Sequence, residues 1–434
     1  MKNYRHFKTI FMIILMLIIY ASSAPAAETQ SVNKDNWQVL KGIMPDSALK
    51  WVETGEMVVK YGKLDYDPGK VQPSWVLESM KENIGKYKLT SKKAIVEAST
   101  GKSPKFIKGI PFPGVKITDP DGPDKIMWNT LYIRDVNGPL KTKMDVKFIG
   151  RKTGYERSIY ADWYSKPFDG YEPAKAWSNP DNLEAENQIV VTSPYDMAGT
   201  AMMTWRYRTE KNDMLFGYVP AIRRVRQMTP AGRSDALFGS DFARDDGAYG
   251  GYDGAIDNFK WKFIGEGEVI GGFIGSQPVR VNQNKNGEWV FDYKNKDLLV
   301  WSYEKKGQPG YSAAPWHVDS LIWTKRPVWI IEGIPKDTYY NYGRQIIYVD
   351  KETNVAYWKI IYDRTGKYWK TLWFGWGMGQ DETKTVNWIS MPLQIIVDER
   401  SKHATVQLSH MDYKCGTNID SNQFSLGGFT ALCK

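Results

Sequence analysis

Between Ser193 and Asp246 the chain sets a cluster of arginines beside a run of aspartates, and these residue types could do chemistry. Arg223, Arg224 and Arg226 follow Pro220, and Arg233 lies just beyond. An arginine grips phosphate or carboxylate through two parallel N–H bonds. On a strand, Arg224 and Arg226 share a face and Arg223 points away. Two readings follow. In the preferred one, the cluster pairs with Asp235, Asp241 or Asp245 inside the same stretch. In the other, it clamps an acidic headgroup at a cavity mouth. Asp241, Asp245, Asp246, Asp253 and Asp257 could offer oxygens to calcium, but they lack the alternating spacing of a calcium loop. A solvated turn with side-chain caps is preferred. Asp245 and Asp246 are a candidate carboxylate pair for glycoside cleavage, yet neighbours on a strand point apart.

Other catalytic signatures are missing from the sequence. Histidine is confined to His6, His317, His403 and His410, and HExxH, GxSxG and CxxC do not occur. No metal or cofactor is expected, no catalytic residue is assigned, and the chain reads as a non-enzyme. Cys415 and Cys433 are its cysteines. In an oxidising compartment they are expected to form a disulfide that pins the C-terminal tail, contributing on the order of 3 kcal/mol.

The elements that must position the arginines are two apolar runs. Thr200 to Arg208 (TAMMTWRYR) is bulky on both faces, and Met214 to Val219 is aromatic and ends at Pro220. The polar turn Thr209 to Asp213 joins them as a hairpin. With Trp128 upstream, Trp205 and Tyr218 are the aromatic candidates for ligand contact, beside Arg223, Arg224 and Arg226.

The N-terminus carries a different signal. Lys2, Arg5 and Lys8 precede the apolar run Ile10 to Tyr20, and Ala24-Pro25-Ala26 supplies small residues for cleavage. This pattern predicts a secretory signal peptide over residues 1–26. Its removal takes three positive charges from a net +9, leaving a mildly basic chain. With export, this argues against a nucleic-acid partner. The rest of the 434 residues, 42% hydrophobic, is ample for a large packed core.

Helical signals come first. Asp46 caps a helix over Ser47 to Thr54 that Gly55 stops, and Pro73-Ser74 opens a second with Val76, Met80, Ile84 and Tyr87 on one face. That stripe packs on the main body; a movable lid is the sharper alternative. KGIPFPG at Lys108 to Gly114 is a rigid connector. Strands are then predicted at Trp128–Val136, Lys143–Ile149, Ser158–Trp163, Phe259–Ile264, Glu268–Ile274, Glu288–Tyr293 and Leu298–Tyr303. More follow at Trp329–Gly333, Gln345–Asp350, Val355–Asp363 and Tyr368–Phe374, with Ser178 to Glu186 as a loop or short helix. Short strands at this spacing predict a large antiparallel sheet, curled or closed. No glycine-rich phosphate loop follows a strand.

The ordered set SPYDMAGTAMMTWRYR, GYVPAIRRVRQ and LFGSDFARDD resembles exported proteins of the LolA/LolB outer-membrane lipoprotein-sorting group. GIPFP (Gly109–Pro113), MWNTLYIR (Met127–Arg134), RPVWIIEG (Arg326–Gly333), GRQIIYVDKET (Gly343–Thr353) and YDRTGKYWK (Tyr362–Lys370) are similar to a poorly characterised proteobacterial branch of it, a domain of unknown function. The resemblance spans about Gly109 to Phe374. It implies a mainly β fold with flanking helices (α+β). That fold is a large curved antiparallel sheet, an incomplete β-barrel with a helical lid. The division is then a signal peptide at 1–26, an N-terminal helical arm at 27–108 and a half-barrel domain at 109–434. It also implies a periplasmic carrier of lipid or another hydrophobic molecule in a Gram-negative bacterium. Such a carrier works with an RND-type inner-membrane transporter, touches membranes transiently and delivers toward the outer membrane. The group has no established catalytic residues to carry over. An alternative of another class is a carbohydrate-binding or envelope-scaffold protein whose exposed tryptophans stack on sugars. For a carrier, each buried methylene contributes about 0.8 kcal/mol, so a chain of about sixteen carbons needs roughly 12 kcal/mol of apolar lining.

Overall fold

The computed structural model describes residues 29–172, 177–247, 249–293 and 313–433. The signal peptide expected at 1–26 and the strand expected at Leu298–Tyr303 lie outside them. Four α-helices occur among the described residues: α1 (Asp46–Glu53), α2 (Ser74–Glu82), α3 (Gly122–Asp135) and α4 (Leu426–Leu432). None is long and apolar enough to cross a membrane. The strands are β1 (Thr29–Val32), β2 (Val59–Gly62), β3 (Tyr87–Leu89), β4 (Ile95–Glu97), β5 (Leu140–Gly150), β6 (Gly154–Pro167), β7 (Leu183–Ser193), β8 (Ala201–Tyr207), β9 (Met214–Val219) and β10 (Arg224–Gln227). They continue with β11 (Phe259–Ile274), β12 (Val279–Gln283), β13 (Trp289–Phe291), β14 (Leu321–Pro335), β15 (Tyr342–Asp350), β16 (Ala356–Asp363), β17 (Tyr368–Gln380), β18 (Asn387–Asp398) and β19 (His403–Cys415).

Most of these strands make one curved, predominantly antiparallel sheet. Its backbone runs β11-β14-β15-β16-β17-β18-β19-β5-β6-β7-β8-β9-β10. At one end the sheet curls until β11 meets β17 in parallel, Gly272 beside Gly375 and Phe273 beside Trp376. At the other end β10 pairs, among the described residues, only with β9, so the sheet as a whole is not a closed barrel. β2 joins through β14, and β1 through β2.

Burial explains both the correct and the mistaken expectations. On β16 both faces are covered, and even Lys359 is fully buried. Phe259–Ile264 and Glu268–Ile274 are one strand, β11, with a bulge between Phe263 and Gly265. Trp128–Val136 is not a strand but most of α3. This helix is buried at nearly every position, so no amphipathic stripe marks it, and Pro123 opens it. Leu183 to Glu186 begins β7 and is not loop or helix. α2 ends at Glu82, so Ile84 falls outside it and is exposed, while Tyr87 belongs to β3. Val76 and Met80 do pack on the main body, whose core cluster runs from Val32 and Trp51 through Trp323, Trp358 and Trp373 to Cys415.

The disulfide is a further correction. Cys415 and Cys433 are both free thiols. They sit in separate apolar clusters, Cys415 on β19 within the main core and Cys433 with Phe216, Tyr218, Phe424 and Phe429 behind the β8–β9 hairpin. The tail is held there by packing instead.

Candidate functional site

Strand alternation gives the β7–β9 region two faces. On β8, Met203, Trp205 and Tyr207 point one way and Met202, Thr204 and Arg206 the other. The first face packs against the C-terminal tail, where Trp205 Nε1 donates to the Phe424 carbonyl at 3.1 Å. The second is the inner face, and it borders a cavity.

The cavity is about 70 Å³ and is lined from the sheet by Met144, Trp163, Ile189, Met202 and Met391 with the polar Asn187 and Gln394. A smaller lobe of about 30 Å³ shares Met144 and Ile189 and extends to Val146, Phe148 and Ile159. Three methionines among these side chains give an adaptable apolar wall. The residues that cover the cavity come from segment 236–247, and neither α1 nor α2 contributes to the lining. A larger hollow of about 440 Å³ lies beside the β8–β9 turn, but its wall is more polar, with Lys211, Asp213 and Arg233 among its residues.

The cover is a folded tip. Ala236 and Ala243 bridge across its neck, the Leu237 N–H donates to the Phe242 carbonyl at 2.8 Å, and Leu237, Phe238 and Phe242 project over the inner face. Phe238 (φ 51°) is in the left-handed region that L-residues avoid, so the tip is locally strained. Asp241 latches it to the sheet. Its backbone N–H donates to Thr405 Oγ1 at 2.9 Å, its carboxylate meets His403 Nδ1 at 2.5 Å, and Lys370 Nζ donates to its carbonyl at 2.6 Å. His403 Nε2 also lies 3.4 Å from Glu156 on β6. Burial pulls the His403 pKa down, but Asp241 and Glu156 outweigh it and raise the value above the ordinary range.

Beyond the tip, the segment ends in a buried ionic network that includes side chains from α3. Arg134 bonds Asp135, Glu184 and Asp253; Arg244 donates to Asp253 Oδ2 at 2.6 Å and Thr204 Oγ1 at 2.7 Å. Arg206 bonds Asp253 and Asp213, and Arg233 bonds Asp245 and Asp213. Burial alone would raise Asp253, but Arg206, Arg244 and Arg134 hold it well below the usual carboxylate range. Burial and the neighbouring Glu184 push Asp135 well above it despite Arg134. Asp246 accepts from Lys359 Nζ at 2.6 Å and from the Tyr342 hydroxyl at 2.6 Å. Asp245 and Asp246 thus point to different partners. Among the described residues, no group of acidic, histidine or cysteine side chains could hold a metal ion.

Sequence reasoning named six ligand-contact residues, and none is in the cavity lining. Trp128 lies buried on α3, its indole N–H donating to the Lys93 carbonyl at 2.7 Å. Trp205 and Tyr218 are on the tail-covered face. Arg223, Arg224 and Arg226 are exposed, without an ion pair among the described residues, and Asp245 pairs with Arg233 instead. The cross-strand register nevertheless aligns Ile189, Met202, Gly217 and Arg226 in one row, so Arg226 and Arg224 extend the inner face to its open edge. The cavity residues Met144, Asn187 and Met391 were missed. Their signal is strand parity, which a run bulky on both faces does not reveal.

A family model described as a protein of unknown function (DUF1329) matches residues 31–428. No curated protein matches the chain. Among solved structures, a putative outer membrane lipoprotein-sorting protein domain from Vibrio parahaemolyticus is 15% identical, covering 72% of this chain and 100% of its own, with a TM-score of 0.46. A DUF1329 family protein from Desulfovibrio piger is 16% identical over 71% of this chain and 98% of its own, with a TM-score of 0.45. A LolA superfamily protein from Nitrosomonas europaea is 11% identical over 70% and 97%, with a TM-score of 0.40.

Proposed function

From the premise that the chain belongs to the DUF1329 family, we propose that it is a non-catalytic carrier of a hydrophobic molecule, held on the inner face of the sheet beneath segment 236–247. The observation that carries this reading is the methionine-rich, tryptophan-containing cavity under a strained, latched cover. A cavity of about 70 Å³ has room for only a few waters, each needing roughly 10–15 Å³. Cargo therefore enters as Leu237, Phe238 and Phe242 withdraw, and the space they vacate becomes its berth. Each methylene then buried contributes about 0.8 kcal/mol, enough to offset removal from a membrane without preventing release.

The export signal over residues 1–26 supports work in the periplasm. There the chain takes cargo from an inner-membrane transporter of RND type and passes it toward the outer membrane. Arg224 and Arg226, exposed and unpaired, suit transient contact with an anionic lipid surface. The sugar-stacking alternative is less well supported: among the described residues no tryptophan is exposed.

The test is titration with N-phenyl-1-naphthylamine, a fluorescent apolar probe. The wild-type chain is expected to bind it, and Met202→Trp, which fills the cavity, to weaken binding at least tenfold. Absence of binding, or equal binding by the filled variant, rejects the carrier reading.

A further inference from the structure

The cavity wall holds polar capacity that the protein itself does not use. Asn187, on β7 between Ser165 of β6 and Thr204 of β8, is 7% exposed, yet neither its Nδ2 nor its Oδ1 has a hydrogen-bond partner. Gln394 on β18 is 4% exposed and donates from Nε2 to Gln407 Oε1 at 2.5 Å, leaving its own Oε1 unpartnered. A buried polar group left unpaired costs about 1–3 kcal/mol. An apolar residue of the same size would remove that cost, so keeping an amide here needs another reason.

The charged groups of the same wall are already committed. Arg244 is spent on Asp253 and Thr204, and Arg134 on Asp135, Glu184 and Asp253. A carboxylate or phosphate entering the cavity would meet no uncommitted cation, and burying an unpaired charge is costly. A hydroxyl group matches what remains: it donates to one amide oxygen and accepts from the Asn187 N–H₂.

We propose that Asn187, assisted by Gln394 Oε1, recognises an uncharged hydroxyl-type group on an otherwise apolar ligand, so that the cargo is a neutral amphiphile and not a fatty-acid or phospholipid anion. This deepens the carrier reading and rests on it. The anion-seeking role then belongs to Arg224 and Arg226 outside, where they meet a membrane surface and not the cargo.

The experiment displaces bound N-phenyl-1-naphthylamine with 1-decanol or with decanoate, which share a chain length and differ in the head. Wild type is expected to prefer decanol about tenfold. Asn187→Leu is expected to weaken decanol about three- to tenfold, the value of one hydrogen bond, while leaving decanoate unchanged. Its melting temperature should equal or exceed the wild-type value, because an unpaired amide has been replaced by a side chain of similar shape. Should Asn187→Leu fail to fold, Gln394→Met carries the same comparison. Equal affinity for the two heads, or decanol binding unmoved by the variant, overturns the inference while probe binding keeps the carrier reading intact. Failure of the probe itself to bind wild type removes both.

Discussion

Two groups of arginines lie close together in the sequence and live in opposite environments. Arg206, Arg233 and Arg244, with Arg134 from α3, are buried and bound to carboxylates in one network. Arg223, Arg224 and Arg226 stand on the edge strand and its turn, exposed and without a carboxylate partner among the described residues. The difference follows from where each strand sits. β8 is interior to the sheet and covered, so a charge there must bring its counter-charge with it. β10 is an edge, and exposed cations on an edge also discourage unwanted strand pairing. The buried set is therefore structural and fixes the cover, while the exposed set is available to partners.

Removing a member of the buried set has the largest expected effect. Arg134→Met strands Asp135 and Glu184 without their arginine, while Asp253 keeps Arg206 and Arg244, and chemical denaturation should show a loss of about 3–5 kcal/mol. A loss under about 1 kcal/mol would mean that the network does not hold the fold. The latch comes next. The raised pKa of His403 makes its contribution fully present below the unfolded value of 6.5 and progressively lost as pH rises through the higher folded value. His403→Asn should flatten the fall in stability on that side of 6.5, and an unchanged pH profile would separate the latch from His403.

The exposed set should behave differently. The double variant Arg224→Glu, Arg226→Glu is expected to leave stability within about 0.5 kcal/mol. Its binding to vesicles containing anionic lipid should weaken by about 1 kcal/mol per arginine removed. Unfolding would place these residues with the buried network; unaltered vesicle binding would remove their surface role. The smallest effect concerns the two thiols: since Cys415 and Cys433 are unlinked, reductant should leave the melting temperature unmoved.

Much of the sheet was legible where strands alternate over part of their length and end in turns, as β5, β6 and β15 do. β19 shows an alternating apolar face in Ala404, Val406 and Leu408, although the strands predicted from the sequence stop at Phe374. β18 does not: it is buried almost throughout, and Pro392 sits where the register slips between Gly375 and Gly377 of its partner. A proline there reads as a break when it marks a bulge. The site was less legible than the fold. Trp205 and Met202 occupy the same run three residues apart, and only the placement of the C-terminal tail decides which of them faces the cavity. Asn187 carries no local signal at all, because its distinction is the lack of a partner.

The most direct test of the central claim is native mass spectrometry of the chain purified without detergent, followed by solvent extraction. The carrier account predicts a stoichiometric, uncharged apolar adduct that is lost in Met202→Trp. A bare polypeptide mass that stays bare after incubation with lipid vesicles would contradict it.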